Sequence, residues 1–296
     1  MGDYSSSGGS TLPRGARSSG LYRAAPTARS SYRSVEPVER QLTHTRFLMA
    51  NRVVRFLVLG KDPDALRDFY RRVFDWNVSD GITSTGANYG TVEAGKGGVA
   101  GGIGYGQDRS VSVATFVVEV EDLAAMISRA ESLGGKTVRP QTRLEGLDFS
   151  LAYLADPEGH VVELATGLSS EPGGNSSNSV RSFEVMGRDS ASLLRFYSSL
   201  FGWKTSEAPF KGYWNVDPGE GIPGGIGPAR AAGLRDGSGF ATFKVEVDNT
   251  DAVLAKVAEL GGKAIMPTYA VPGTGLKIAY FADPEGHIVG LTSGLR

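Results

Sequence analysis

The chain has 296 residues, with 31 Lys and Arg against 32 Asp and Glu for a formal net charge of −1, and it contains no cysteine. The length predicts two domains, and the balanced charge, with no basic face in the repeats, argues against a nucleic-acid partner. Without cysteine there is no disulfide, thiol nucleophile or thiolate metal site, and three histidines, His44, His160 and His287, constrain every metal or acid–base scheme.

Residues 1–50 are rich in Ser, Gly, Pro and Arg, with Arg14, Arg17, Arg23, Arg29, Arg33 and Arg40 against only Asp3, Glu36 and Glu39 up to residue 41. No period of 2 or 3.6 is present, so the stretch reads as a disordered tail. An organelle transit peptide and the Met1-Gly2…Ser6 myristoylation pattern are the alternatives. The N-terminus has no apolar export region, and no run approaches the roughly 18 apolar residues of a membrane helix. The expected compartment is the cytoplasm, and His44 is expected at the surface.

Val53 to Leu59 predicts a strand. Asp62 and Pro63 then open a helix, the first as a cap and the second suited to the first turn. Leu66, Phe69, Tyr70 and Val73 recur at helical spacing and form its buried stripe. Phe74 and Trp76 lead into a short strand, followed by strands over Tyr89–Glu93 and Val99–Ile103. The pattern restarts with a strand over Val113–Val120 and a helix from Asp122, carrying Leu123, Met126, Ile127, Ala130 and Leu133 and ended by Gly134-Gly135. Strands near Thr137, over Phe149–Leu154 and over Val161–Ala165 complete it. The segment is thus two βαβββ units. The Gly-rich runs Gly95–Gly106 and Gly219–Gly227 lack the Gly-Lys-Ser/Thr ending and the strand–turn–helix context of a phosphate loop.

The same order then recurs 127 residues on. YLADPEGH at Tyr153–His160 becomes YFADPEGH at Tyr280–His287, and Phe69-Tyr70 and Phe74-x-Trp76 become Phe196-Tyr197 and Phe201-x-Trp203. A repeat at fixed spacing marks an internal duplication. The expected boundaries are a tail at 1–50, a first domain at 51–167, a linker at 168–179 and a second domain at 180–296. Trp76 and Trp203 are expected in the core. Asp156 and Asp283 are expected to accept backbone N–H bonds in their turns, with His160 and His287 supporting those turns rather than catalysing.

The order of strand, D-x-x-x-x-x-x-F-Y, G-W or D-W, a Gly-Gly helix end and D-P-E-G-H before a last strand resembles the vicinal oxygen chelate superfamily, in its two-repeat bacterial type. That superfamily includes glyoxalase I, fosfomycin- and bleomycin-resistance proteins and extradiol dioxygenases. The resemblance covers about Val53 to Thr292. It implies an α+β fold of tandem glyoxalase-like domains, each of two paired βαβββ units, with a curved mixed sheet, helices on its convex face and a cleft on its concave face.

The resemblance also implies where a metal would bind. Carried over by motif, its ligand positions fall on Arg55, Gly102, Thr115 and Glu163 in the first repeat and on Ser182, Gly225, Thr242 and Gly290 in the second. One carboxylate does not make a metal site, and a guanidinium stays protonated. No metal ligands and no cofactor are expected, and Arg55 facing Glu163 reads as an ion pair or as a grip on an anion. Strand alternation places Thr242, Lys244 and Glu246 on the face opposite Phe243, Val245 and Val247. The candidate ligand-binding residues are Arg55, Thr115, Glu163, Glu184, Thr242, Lys244, Trp214 and Tyr269, with Tyr89, Tyr153, Tyr213 and Tyr280 as further rings in reach. The expected partner is a small organic molecule, and the chain is expected as a monomer or homodimer. The function these features favour is metal-free small-molecule binding. A metal-dependent lyase, isomerase or dioxygenase of the same superfamily, and a non-catalytic interaction module with filled clefts, remain as alternatives.

Overall fold

Among the described residues four α-helices are each started by a short polar side chain. Asp62, Asp122 and Asp189 each accept from the backbone N–H three residues on, from Ala65, Ala125 and Ser192, all at 3.0 Å. Asn249 accepts from Asp251 and Ala252. These bonds satisfy donors that a helix start leaves without partners. The helices are α1 (Pro63–Phe74), α2 (Leu123–Ser132), α3 (Ser190–Phe201) and α4 (Thr250–Glu259). The computed structural model describes residues 51–79, 88–105, 110–143, 149–168, 178–234 and 237–294. The expected disordered tail and most of the expected linker lie outside the described residues.

The first repeat supplies β1 (Arg52–Leu59), β2 (Tyr89–Val92), β3 (Ala100–Gly104), β4 (Val113–Glu119), β5 (Lys136–Arg143), β6 (Ser150–Ala155) and β7 (Val161–Thr166). They form one sheet in the order β2-β3-β1-β4-β7-β6-β5. The second repeat supplies β8 (Ser179–Gly187), β9 (Lys204–Glu207), β10 (Trp214–Asp217), β11 (Gly224–Pro228), β12 (Phe240–Glu246), β13 (Lys263–Ala270), β14 (Lys277–Ala282) and β15 (Ile288–Ser293). Their order is β13-β14-β15-β12-β8-β11-β10-β9. Within each repeat the two βαβββ units join through an antiparallel pair of first strands, β1 with β4 and β8 with β12, while β1–β3, β4–β7, β8–β11 and β12–β15 run parallel. Both sheets are therefore mixed and flanked by helices, an α+β arrangement. β9 is a full strand where the described residues of the first repeat show a bridge between Val78 and Val92. A 3-10 turn at Ala229–Ala232 has no counterpart in the sequence reading. The edge strands β5 and β13 each carry a proline, Pro140 and Pro267, within a break in ladder register, which denies a neighbouring strand a regular row of donors.

The two sheets belong to one compact unit and share one core. Phe56 of β1 meets Phe243 of β12 with ring centroids 4.7 Å apart, and Phe116 of β4 meets Phe183 of β8 at 4.6 Å. These pairs are one contact written twice, since Phe56 corresponds to Phe183 and Phe116 to Phe243 across the 127-residue spacing. Trp76 packs on Phe56 and Trp203 on Phe183, both at 5.1 Å. Each indole N–H then crosses to the other repeat: Trp76 donates to the Asn178 carbonyl at 2.7 Å and Trp203 to the Asn51 carbonyl at 2.6 Å. The same asparagines donate from their side chains to Phe74 and Phe201, the last residues of α1 and α3.

The D-P-E-G-H turns complete this exchange. Asp156 Oδ1 accepts from the Glu158 and His160 backbones, and its Oδ2 sits 2.8 Å from His160 Nδ1. Asp283 does the same with Glu285 and His287. The turn-supporting reading of both histidines therefore holds, and His287 Nε2 adds a 2.8 Å bond to Ser112. What the sequence did not disclose is where the turns point. Glu285 accepts the Lys61 and Asp62 backbone N–H groups ahead of α1, both at 2.8 Å. Glu158 accepts those of Arg188 and Asp189 ahead of α3, at 2.8 and 2.7 Å. Tyr70 and Tyr197 donate to Asp283 and Asp156 across the same boundary. Each repeat thus caps the first helix of the other, where a carboxylate gains from both the free donors and the helix dipole. Glu158→Ala and Glu285→Ala are each expected to cost about 1–3 kcal/mol. The costs should add in the double variant, because the two caps share no partner; urea denaturation midpoints measure both.

Candidate functional site

Opposite the shared core, each sheet has a face that the four α-helices do not cover, and in the second repeat the 3-10 turn Ala229–Ala232 packs on it beside Met186, Phe240 and Tyr280. In the first repeat one rung runs across five strands: Arg55 on β1, Val117 on β4, Glu163 on β7, Tyr153 on β6 and Arg139 on β5. Rung neighbours share a face of the sheet, so two guanidiniums flank one carboxylate. Glu163 is buried, at 7% exposure. Burial pushes its carboxyl up to about 7, against the opposing pull of a hydrogen bond from Tyr153 and the charges of Arg55 and Arg139. Burial likewise raises the Tyr89 and Tyr153 phenols above their ordinary value. The Tyr89 hydroxyl lies over Gly102, where an added Cβ would come within 1.9 Å of it; only glycine admits the ring there. Leu57, Leu59, Val111, Val117 and Leu151 pack beside this group as an apolar cluster separate from the shared core. Glu119, further along β4, is held by Arg52 at 2.7 Å.

In the second repeat the same rung reads Ser182, Lys244, Gly290, Tyr280 and Met266. Its carboxylate stands one rung away and on a different strand, at Glu184 of β8, opposite Gly225 and Thr242. Tyr213 donates to Glu184 Oε1 at 2.6 Å, Tyr280 donates to Oε2, and Lys244 Nζ reaches Oε1 at 3.3 Å. Burial and the adjacent carboxylate raise both phenols well above the usual tyrosine range. Gly290 makes room for the lysine stem, since a Cβ there would stand 2.5 Å from Lys244 Cγ. This carboxylate is 2% exposed and fully engaged by its own chain.

The structure brings the sequence-derived residues together unevenly. Arg55 and Glu163 share a rung in the first repeat with Val117 between them, and Glu184 and Lys244 pair in the second. Thr115 and Thr242 lie on these strands, but each hydroxyl donates to a backbone carbonyl, Val161 at 2.8 Å and Ile288 at 2.7 Å. Trp214 shares its rung with the core residue Ile226, and Tyr269 is 49% exposed on the edge strand β13. Arg139 was missed in the sequence because the register break after it hides which face it takes. A separate groove of about 490 Å³ lies where the repeats meet, lined by residues that include Lys96, Arg181, Glu246 and Asp248, with Arg181 already paired to Glu246.

The donors do not fit a divalent metal. Among the described residues no three His, Cys, Asp or Glu side chains converge, and on the two open faces Glu163 and Glu184 face phenols and cationic side chains instead of further anionic or imidazole ligands. Glu163 gives a pH signature. Its carboxyl, raised from 4.5 to about 7 in the folded chain, favours folding fully below pH 4.5, and that contribution is lost as pH rises through 7. Glu163→Gln is therefore expected to raise stability at pH 8 by about 3 kcal/mol, with the gain shrinking toward pH 5; thermal melts of both proteins across this range test it.

A family model described as a glyoxalase-like domain matches residues 56–165, and one described as the glyoxalase/bleomycin resistance protein/dioxygenase superfamily matches residues 179–291. "Putative glyoxylase CFP32" of Mycobacterium bovis and of Mycobacterium tuberculosis are each 31% identical over 113 residues, covering 36% of this chain and 42% of theirs. The chain thus spans less than half the length of these relatives. Among solved structures, the Mn(II)-bound glyoxalase from Novosphingobium aromaticivorans aligns over 84% of this chain and 83% of its own, with a TM-score of 0.56 and 16% identity. The 2,2',3-trihydroxybiphenyl 1,2-dioxygenase of Sphingomonas wittichii strain RW1 aligns over 83% and 91%, with a TM-score of 0.51 and 16% identity. At such identities the likeness is one of fold. With both repeats matched and each sheet built from paired βαβββ units, the chain belongs to the vicinal oxygen chelate superfamily as a tandem, two-repeat member of the bacterial type.

Proposed function

We propose that this is a metal-free small-molecule-binding protein, with the ligand site on the helix-free face of the first repeat. In this reading residues 51–167 and 180–296 are the two domains, joined by a linker at 168–179 and preceded by a tail at 1–50. Each sheet curves so that its helix-free face forms a cleft. The observation that carries the reading is the rung of Arg55, Glu163, Tyr153 and Arg139 beside the apolar cluster of Leu57, Val111 and Leu151. A few convergent polar groups next to an apolar wall suit a small organic ligand. The second repeat, whose carboxylate is satisfied by Tyr213, Tyr280 and Lys244, serves as the structural partner that holds the first in shape. The competing reading is a metal-dependent lyase, isomerase or dioxygenase, which requires converging ligands not found among the described residues.

Native mass spectrometry with elemental analysis, on protein purified without chelator, separates the two. The expected result is a chain without stoichiometric divalent metal that carries, or takes up from a metabolite mixture, an organic mass. Stoichiometric, tightly held metal would overturn the metal-free reading.

A further inference from the structure

The turn at Asp283–His287 carries a hydrogen-bonded series that capping does not require. The buried Asp283 carboxylate is held from four directions. Oδ1 accepts the Glu285 and His287 backbone N–H groups at 2.9 Å, and Oδ2 accepts the Tyr70 hydroxyl at 3.0 Å and faces His287 Nδ1 at 2.8 Å. A carboxylate only accepts, so in the neutral ring Nδ1 carries the proton and Nε2 is left as an acceptor. Ser112 Oγ lies 2.8 Å from that Nε2, so the hydroxyl is the donor of this bond. His287 is buried, whereas Ser112 is exposed. Ser112 belongs to the other repeat. It precedes β4 by one residue, in step with Ala114 and Phe116 of the shared core, so the site stands at the rim of that core and off the Glu163 rung.

The second copy of the turn is an internal control. His160 Nδ1 faces Asp156 Oδ2 at 2.8 Å, and Tyr197 donates to the same oxygen at 3.1 Å. The position equivalent to Ser112, 127 residues on, is Gly239. A Cβ there would stand 2.4 Å from His160 Nε2 and 2.3 Å from the Met186 carbonyl oxygen. The turn and its bonds across the repeats therefore form with no hydroxyl at this position, and the serine is particular to one copy.

We propose that Ser112 is a nucleophile for acyl transfer, with His287 as its general base and Asp283 as the residue that positions the base. A hydroxyl, an imidazole and an orienting carboxylate bonded in series activate serine on unrelated folds. Oγ forms a bond to the carbonyl carbon of an ester while its proton passes to His287 Nε2. The ester C–O bond then breaks, and the alcohol leaves with that proton. Water, giving a proton to the same nitrogen, releases the acid and restores the serine. Because the hydroxyl is exposed, the substrate class is a small ester with a good leaving group, such as a phenyl ester. This activity is independent of the binding reading above and uses none of its residues.

The test treats the full chain with an alkyl fluorophosphonate, locates the label by peptide mass spectrometry, and follows hydrolysis of p-nitrophenyl acetate. Ser112 should be labelled faster than any other serine of the chain, and Ser112→Ala should lose both the label and the hydrolysis above background. His287→Ala should slow labelling by about a hundredfold or more. His160→Ala removes the same turn support from the other copy and should leave the rate unchanged, with circular dichroism to show that both variants fold. Ser112→Cys keeps the question open to measurement even if His287→Ala does not fold, because the chain has no other thiol. Its alkylation by iodoacetamide should show a thiol pKa below the ordinary value of about 8.5, as beside an imidazole. Any of four results would overturn the assignment: no preference for Ser112 over other serines, hydrolysis undiminished in Ser112→Ala, equal slowing by the two histidine variants, or an ordinary thiol pKa in Ser112→Cys.

Discussion

The structure depends on an exchange of caps between the two repeats. A helix start leaves backbone donors without partners, and here the nearest strong acceptor is a glutamate from the other half of the chain. Glu285 serves α1 and Glu158 serves α3. Behind them the paired phenylalanines close the core, and the two indoles reach carbonyls across the boundary. Neither sheet completes its core or its helix ends alone, so the duplication is a structural requirement as well as a record of descent.

That mutual dependence fixes one face of each sheet and leaves the other free to change. On the constrained faces the repeats are near copies, with Phe56, Phe116, Trp76 and Tyr70 recurring as Phe183, Phe243, Trp203 and Tyr197. On the free faces they have diverged in the placement of charge. A buried carboxylate is costly unless hydrogen-bonded and paired, and the two faces meet that demand differently. The second repeat surrounds Glu184 with two phenols and an ammonium. The first sets Glu163 between guanidiniums, and burial still holds its carboxyl near neutrality.

Much of this was legible in the residues. The caps at Asp62, Asp122, Asp189 and Asn249 and the apolar stripe of α1 specify helices by local rules, and all four formed where those rules put them. Alternation along β12 assigned Phe243 and Lys244 to their faces, and the turn duties of Asp156 and His160 followed from the hairpin they initiate. The failures came from information a strand does not carry along its own length. Glu158 and Glu285 read as turn residues because their partners lie in the other repeat. Arg139 was hidden by a register break, and a bulge exchanges the two faces of a strand. Thr115 and Thr242 sat on the right strands, but their hydroxyls serve the neighbouring backbone.

The cap exchange has a consequence for how the chain finds itself. The surface that the first repeat offers to the second is, element for element, the surface that the second offers to the first, the pattern of a two-fold dimer contact. Such a contact does not distinguish a half on the same chain from a half on another. The distinction is entropic and comes from tethering, which holds the resident half at an effective concentration on the order of mM. Tethering therefore weights the balance toward closure within one chain, and a half from a second chain competes for the same caps only as the protein concentration approaches that value.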